Sequence, residues 1–206
     1  MKLYGVGGSP FVRKARVVLE EKGIPYETEP MVSVSPKTPE LLALHPLGKI
    51  PVLRDGEVVV PDSSVICAYL EKKHPSPALY PDDPAHLAKA LFLEEYADTR
   101  LFEVLRPILF ERLMKRFVLQ QEPDEARVAE LLARELPPVL DYLESQAPGD
   151  RASVLVRFSI ADAALGAQLA PLTLAGIEID TRRWPRTASY YRALLARPSF
   201  ETAMAE

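Results

Sequence analysis

The chain has 206 residues, enough for one large or two small domains, and its 48% hydrophobic and 26% charged residues exclude a largely disordered chain. The 25 Lys and Arg against 29 Asp and Glu give a net charge of −4, which disfavours a nucleic-acid partner because phosphate contacts need a basic face. The single cysteine, Cys67, excludes an intrachain disulfide. The longest uncharged apolar stretch is too short to span a membrane, so we expect a cytoplasmic protein with no membrane partner.

The first part of the chain alternates between strand and helix signals. The predicted elements, in order, are a strand at 2–6, a helix at 10–22, an extended segment at 24–30, a short helix at 39–44, a hairpin at 50–60 and a helix at 62–73. Pro10 suits the first position of a helix, and Asp55-Gly56 is a strong hairpin signal. This order predicts a small α/β unit with a mixed sheet.

Proline marks a boundary between two parts of the chain. Four prolines lie between residues 74 and 85, where no regular element tolerates them. Beyond them strand signals nearly vanish, and helical periodicity covers residues 85–117, 124–146, 160–175, 185–196 and 198–205. We therefore expect an α/β domain at 1–75, a linker at 76–85 and an all-helical domain at 86–206.

The signature motifs of several enzyme classes are missing from the sequence. Gly5-Val6-Gly7 begins like a dinucleotide-binding loop, but Pro10 stands where its third glycine would fall. There is no P-loop, no G-x-S-x-G elbow and no H-E-x-x-H. The three histidines are scattered, so no metal is expected. Dehydrogenases, nucleotide hydrolases, esterases and zinc enzymes are therefore disfavoured.

Ser9 lies where the first strand meets the first helix. It is placed to cap that helix, and a cap alone would explain it. Alternatively, its hydroxyl and the positive end of the helix could hold an anion such as a thiolate. A charge-assisted hydrogen bond of about 1.5–3 kcal/mol and a helix terminus of roughly 0.3–1 kcal/mol would lower the pKa of a thiol by about 1–3 units from near 8.5. A substantial thiolate fraction would then exist at neutral pH.

Two later stretches also permit either a structural or a binding role. Pro51 stands at the start of a strand, which is compatible with a simple edge strand. Alternatively, the Ile50–Pro51 peptide bond could be cis and turn the Ile50 backbone towards a peptide-like ligand. Asp62 could simply cap its helix. It could instead pair with an ammonium group while Ser63 and the helix N-terminus bind a carboxylate. Carboxylate and ammonium together describe an amino-acid head group.

These three stretches, in this order and spacing, resemble the cytosolic glutathione transferase family over essentially the whole chain. The resemblance implies a thioredoxin-like N-terminal domain followed by an all-α helical domain. The Ser-Pro-Phe-Val-Arg-Lys motif at residues 9–14 is similar to that of serine-type members, common in bacteria and close to the plant classes. Ser9 then corresponds to the residue that hydrogen-bonds the glutathione sulfur.

The resemblance also assigns the rest of the glutathione site. It implies that Phe11 contacts glutathione and that the Ile50 backbone, before a cis Pro51, pairs with the cysteinyl unit. It implies that Asp62 and Ser63 bind the γ-glutamyl end. Lys37 and Lys49 are then expected to bind the glycine carboxylate. Asp62 replaces the usual glutamate. His45-Pro46 replaces the common Asn-Pro, and no chemical consequence is expected from this exchange.

Two further sites are expected to be structural. Ser159 and Asp162 have the spacing of a helix capping box, and this follows from the sequence independently of the resemblance. Cys67 lies beside the apolar face of its helix and is expected to be a buried structural thiol. Serine at position 9, where thiol-transferase relatives carry cysteine, argues against disulfide exchange.

The resemblance implies that the glutathione thiolate attacks a small electrophile held between the domains. Candidate residues for this second-substrate pocket are Arg13, Tyr96, Thr99, Arg100 and Glu103. It also implies a homodimer in which the helix at Asp62 of one subunit meets the helix at 85–117 of the other. Two alternatives remain open: a non-enzymatic interaction protein on the same scaffold, like the transcription-associated relatives of bacterial starvation responses, or a glutathione-dependent isomerase.

Overall fold

The computed structural model describes residues 1–33, 36–149 and 153–205. The chain divides into two compact units, one formed by Met1–Asp82 with the residues from Arg197 onward, the other by Asp83–Ala196. The elements of Met1–Asp82 are β1 (Lys2–Tyr4), α1 (Pro10–Glu21), β2 (Glu27–Glu29), α2 (Pro39–Leu44), β3 (Val52–Asp55), β4 (Val58–Pro61) and α3 (Ser63–Lys73).

The four strands form one sheet in the order β2-β1-β3-β4. β1 runs parallel to β2, and β3 runs antiparallel to β1 and β4, so the predicted mixed sheet is confirmed. Leu3, Leu53 and Val60 are cross-strand neighbours, and all three are buried. Since side chains alternate along a strand, this row marks the face that packs against the core. Asp55 pairs with Val58, so the hairpin turn lies one residue later than the sequence predicts.

A buried lysine ties the segment after α3 to the first unit. The Lys22 ammonium donates to the carbonyls of His74 (2.7 Å) and Pro77 (2.8 Å) and forms an ion pair with Glu71 (2.7 Å). Its side chain is fully buried, so each of its donors needs a partner inside the protein. Residues 76–82, which fall within the expected linker, therefore belong to the first unit.

The second unit is built from helices throughout its described residues, 83–149 and 153–196. Its elements are α4 (Pro84–Tyr96), a π-helical turn (Ala97–Leu101), α5 (Phe102–Leu109), a π-helical segment (Phe110–Leu119), α6 (Glu125–Arg134), α7 (Leu136–Gln146), α8 (Ile160–Leu169), a 3-10 turn (Ala170–Leu172) and α9 (Pro185–Leu195). The helix predicted at 124–146 is divided after Arg134. Pro137 and Pro138 explain the break, because they cannot donate hydrogen bonds to the carbonyls four residues earlier.

The last helix, α10 (Pro198–Met204), packs on α1 in the first unit. Glu21, at the end of α1, accepts hydrogen bonds from Arg197 (2.8 and 2.9 Å) and from the Ser199 hydroxyl (2.6 Å). Phe200 is fully buried. The residues from Arg197 onward therefore belong to the first unit, although the sequence predicts one helical domain over 86–206. The ion pair between Arg197 and Glu21 holds them against α1, and local periodicity cannot indicate such a long-range contact.

Helix α8 is buried along its whole length, so the N–H groups at its start have no access to water. Asp162 provides hydrogen-bond acceptors at this end: its carboxylate accepts hydrogen bonds from the N–H groups of Ser159 (2.9 Å) and Val154 (3.0 Å). The Tyr190 hydroxyl donates to the same carboxylate at 2.6 Å and connects α9 to this cap. Burial, with Asp162 beside it, raises the pKa of Tyr190 well above its usual value, so the hydroxyl keeps its proton.

The substitution Tyr190→Phe should destabilise the helical unit by about 1–3 kcal/mol, because it leaves a buried carboxylate with one donor fewer. The matched control is Tyr191→Phe, because the Tyr191 hydroxyl forms its hydrogen bond with the exposed Thr173, at 2.7 Å. Urea unfolding monitored by the fluorescence of Trp184, the chain's one tryptophan, reports on this unit. An equal loss in the two variants would contradict the role of the Tyr190 hydroxyl.

Candidate functional site

Strand register brings three of the sequence candidates to one edge of the sheet. Tyr4 at the end of β1 pairs with Val52 at the start of β3, and Val52 pairs with Pro61 at the end of β4. Beyond Tyr4 the chain leads to Ser9, and beyond Pro61 it leads to Asp62. Pro51 immediately precedes Val52 at the same edge. The loop after β1, the turn before β3 and the start of α3 therefore leave the sheet at the same edge.

Ser9 is the N-cap of α1, in extended backbone conformation and half-buried. Its Oγ accepts the N–H of Val12 at 3.4 Å, a long hydrogen bond. A hydroxyl can donate while it accepts. Ser9 can thus cap the helix and present its proton to an acceptor that binds at the sheet edge.

The loop that carries Ser9 is held from two sides. Arg13 is buried and donates from Nη2 to the Gly7 carbonyl at 3.0 Å. Burial, helped by the nearby Arg16, lowers the pKa of Arg13 to about 10, so it remains charged at neutral pH. On the other side, a Cβ at Gly5 would lie 2.4 Å from a methyl carbon of Val12, so only glycine fits there. Arg13 therefore positions the loop in front of α1.

Asp62 and Ser63 begin α3. Asp62 has a positive φ of 75°, and its Oδ1 accepts the N–H groups of Ser64 (2.9 Å) and Val65 (3.2 Å). Among the described residues, none donates to Oδ2 of this exposed carboxylate. Ser63 is buried at the first position of the helix. One carboxylate oxygen thus caps the helix, and the other is free to bind a cation.

Pro51 is buried directly before β3, and Ile50 is half-buried. The peptide bond between them is cis. Phe11, another sequence candidate, is half-buried in the first turn of α1.

Both candidate lysines are near Gly48, Lys37 through its side chain and Lys49 as the next residue in the chain. The Lys37 ammonium donates to Ser33 Oγ at 2.7 Å, and Ser33 in turn donates to the Gly48 carbonyl at 2.6 Å. A Cβ at Gly48, whose φ is +58°, would lie 2.8 Å from the Lys37 side chain, so the lysine stem lies directly over this glycine. Lys49 follows and is exposed.

His45 was expected to have no chemical consequence, but it is buried beside the charges of this site. Its Nδ1 accepts the N–H of Leu47 at 3.1 Å. Burial is the main cause that lowers the pKa of His45; Lys49 lowers it further, and Asp62 acts in the opposite direction. No local sequence pattern indicates that His45 and Asp62 lie near each other, because they belong to different elements.

The candidates in the helical unit do not form one cluster. Arg100 and Glu103 line a cavity of about 240 Å³ between α5 and α6. Tyr96 instead packs against Tyr142, with ring centres 4.5 Å apart. Thr99 is exposed and donates to a backbone carbonyl one turn earlier in its helix.

Cys67, the chain's one cysteine, is buried on α3. Over residues 1–33, 36–149 and 153–205, no three His, Cys, Asp or Glu side chains are grouped so that they could ligate a metal ion. None of the helices in those ranges combines the length and the hydrophobicity needed to cross a bilayer.

The chain is similar to known proteins along its full length. Residues 3–78 match the family model for the glutathione S-transferase N-terminal domain. Glutathione S-transferase 3 of Zea mays is 33% identical over 100% of this chain and 93% of its own length. The probable glutathione S-transferase GSTF2 of Oryza sativa is 30% identical, over 97% of this chain and 93% of its own.

Solved structures agree with this similarity. A glutathione S-transferase from Rhodospirillum rubrum superposes with a TM-score of 0.87 at 28% identity, over 100% of this chain and 92% of that one. A glutathione S-transferase-I solved with lactoylglutathione gives a TM-score of 0.86 at 27% identity, covering 99% and 98% of the two chains. The thioredoxin-like sheet followed by a helical domain, expected from the sequence, is thereby confirmed.

His45 should make stability depend on pH. Because its pKa is lowered in the folded chain, the unfolded chain binds the extra proton first, and the free energy of unfolding falls as pH drops below about 6.5. The substitution His45→Asn keeps an acceptor for the Leu47 N–H but cannot titrate. Urea unfolding at pH 7.5 and 5.5 should show a larger loss for the wild type than for His45→Asn. Equal losses would contradict this role of His45.

Proposed function

This chain belongs to the glutathione S-transferase family, and on that premise we propose how it binds and activates glutathione. The protein is a glutathione transferase, an enzyme that joins the sulfur of glutathione to a small electrophile. The observation that supports the mechanism is the convergence of the Ser9 loop, the turn at Ile50 and the start of α3 at one edge of the sheet.

We assign the activation of glutathione to Ser9, which makes this a serine-type enzyme. The Ser9 hydroxyl donates a hydrogen bond to the sulfur, and the N-terminus of α1 adds the field of its unpaired N–H groups. Both interactions favour the thiolate over the thiol, so the proton leaves to solvent at a lower pH than in free glutathione. Arg13 acts indirectly, through the Gly7 carbonyl that it holds.

The remaining contacts follow the three parts of glutathione. The Ile50 backbone pairs with the cysteinyl unit, next to Phe11. The Asp62 Oδ2, which caps no N–H group, binds the γ-glutamyl ammonium, and Ser63 with the N-terminus of α3 binds its carboxylate. The glycine carboxylate lies against Lys37 and Lys49.

The transfer step needs no further cofactor. The thiolate attacks the electrophilic carbon, a C–S bond forms, and the displaced group departs with the bonding electron pair; in an addition, the electron pair is protonated instead. The protein contributes an ionised nucleophile and a fixed orientation. Of the residues expected to contact the electrophile, Arg100 and Glu103 line one cavity of the helical unit, whereas Tyr96 and Thr99 do not line it.

We further propose that the enzyme is a homodimer and acts in the cytoplasm. Large apolar side chains are exposed on the elements that the family places at the subunit contact: Val65 on α3 (52% exposed), and Leu91 (44%) and Phe92 (56%) on α4. Contact with a second copy would remove them from water. The single buried cysteine gives the fold no need of an oxidising compartment.

The substitution Ser9→Ala should raise the pKa of bound glutathione by about 1–2 pH units and lower the transfer rate at neutral pH roughly 10- to 100-fold, because one charge-assisted hydrogen bond is lost. The pKa is measured by the ultraviolet absorbance of the thiolate during a pH titration. Ser9→Thr keeps the hydroxyl and should retain most of the activation. An unchanged pKa in Ser9→Ala would refute the assignment.

Light scattering should give a mass near twice the 22.9 kDa of one chain. Phe92→Glu should reduce it to that of one chain, because a carboxylate would be buried in an apolar contact. Phe117→Glu is the matched control, since Phe117 is 68% exposed but lies far along the chain from α4. A wild-type mass of one chain would overturn the dimer, and so would an equal effect of both substitutions.

A further inference from the structure

Lys14 is a buried lysine on α1, the helix that Ser9 caps. Only 1% of its surface is exposed, although lysine is a long and charged residue. Removing a charge from water is costly, so a buried ammonium needs hydrogen-bond acceptors inside the protein. Lys14 Nζ donates to the Oγ of Ser64 on α3 at 2.9 Å. This hydrogen bond connects the helix of Ser9 to the helix that begins at the proposed γ-glutamyl contact.

Ser64 is the second residue of α3 and belongs to the turn that Asp62 caps. Its backbone N–H donates to Asp62 Oδ1 at 2.9 Å, while its side chain accepts from Lys14. The residue before it, Ser63, is the one that we propose for the γ-glutamyl carboxylate. The first turn of α3 is thus held by Asp62 through the backbone and by Lys14 through a side chain of that turn.

The start of α3 needs a restraint from outside the helix. Asp62 has a φ of 75°, a conformation that residues other than glycine rarely adopt and that persists only where the surrounding structure holds it. Its two hydrogen bonds, to the N–H groups of Ser64 and Val65, fix its carboxylate to α3 itself. They do not fix α3 relative to Ser9. The hydrogen bond from Lys14 does, because Lys14 lies on α1.

The neighbouring buried cations of α1 have other partners. Arg13 donates to the Gly7 carbonyl, in the loop that carries Ser9. Arg16 donates to the Tyr26 hydroxyl at 3.2 Å and to the Thr202 carbonyl on α10 at 3.4 Å. Substitution of Arg16 is therefore a control for the loss of a buried cation from the same helix.

We propose that Lys14 is a positioning residue for glutathione, which acts through Ser64 on the first turn of α3. It keeps Asp62 and Ser63 in a fixed geometry for the γ-glutamyl group. A cation beside this helix end also adds to the positive potential that attracts the γ-glutamyl carboxylate. This role rests on the proposed function, because it concerns the same glutathione site. Lys14 governs how tightly glutathione binds, whereas Ser9 governs how far its thiol ionises.

The substitution Lys14→Met keeps the apolar stem and removes the ammonium. It should raise the Kd of glutathione, measured by isothermal titration calorimetry, about tenfold, because a hydrogen bond from a charged group is lost. The pKa of the bound thiol, measured by ultraviolet absorbance, should stay within about 0.3 units of the wild-type value, because Ser9 is unchanged. Affinity for γ-glutamylcysteine, which lacks the glycine, should fall by the same factor as affinity for glutathione. Lys14→Arg keeps a cationic donor and should bind glutathione more tightly than Lys14→Met.

The substitution Ser64→Ala removes the acceptor and leaves the buried lysine in place, so it tests the same hydrogen bond even if Lys14→Met does not fold. It should weaken glutathione binding about three- to tenfold. The double variant should bind glutathione no more weakly than Lys14→Met alone, because the two residues act through one hydrogen bond. Arg16→Met should leave the Kd of glutathione unchanged.

Unchanged glutathione affinity in Ser64→Ala would overturn this role of Lys14. Additive losses in the double variant, or an equal loss in Arg16→Met, would overturn it as well. A raised thiol pKa in Lys14→Met would also contradict it, because the effect would then extend to the sulfur. In all of these outcomes the wild type still binds and ionises glutathione, so the proposed function stands. A wild type that binds no glutathione would overturn both together.

Discussion

The first turn of a helix has N–H groups without intrahelical partners, and this constraint underlies both the fold and the chemistry of the protein. At α8 the solution is wholly internal, because Asp162 and Ser159 close the helix end inside the core. At α1 and α3 the caps Ser9 and Asp62 lie at the edge of the sheet and keep part of their hydrogen-bonding capacity. The need to cap a helix thus produces a buried hydrogen-bond network in the helical unit and two candidate ligand contacts in the first unit.

The parts that could be predicted from the sequence depend on short-range information. The hairpin at Asp55-Gly56, the helix starts at Pro10 and after Asp62, and the mixed sheet follow from turn chemistry, caps and periodicity, and the structure confirms them within a few residues. The break before Pro137 has a local cause, the two adjacent prolines, but the apolar periodicity continues across them and predicts one helix over 124–146.

The parts that could not be predicted depend on contacts distant in sequence. Glu21 and Arg197 are 176 residues apart, and the sequence around neither residue indicates that they form an ion pair. His45 becomes part of the site's electrostatics only when the fold brings it near Lys49 and Asp62. A cavity lined by Arg112 and Arg116 in the helical unit has no signature in the sequence for the same reason, because its walls come from three separate segments.

The packing of α10 on α1 has a consequence for biosynthesis. A ribosome delivers α1 early, but the helix that covers it emerges only after the entire helical unit has been translated. During that interval the nascent first unit has no partner for the carboxylate of Glu21 and no cover for the surface that Phe200 occupies. The unit whose synthesis begins first is therefore the last to be completed, because its final helix is translated after the whole helical unit.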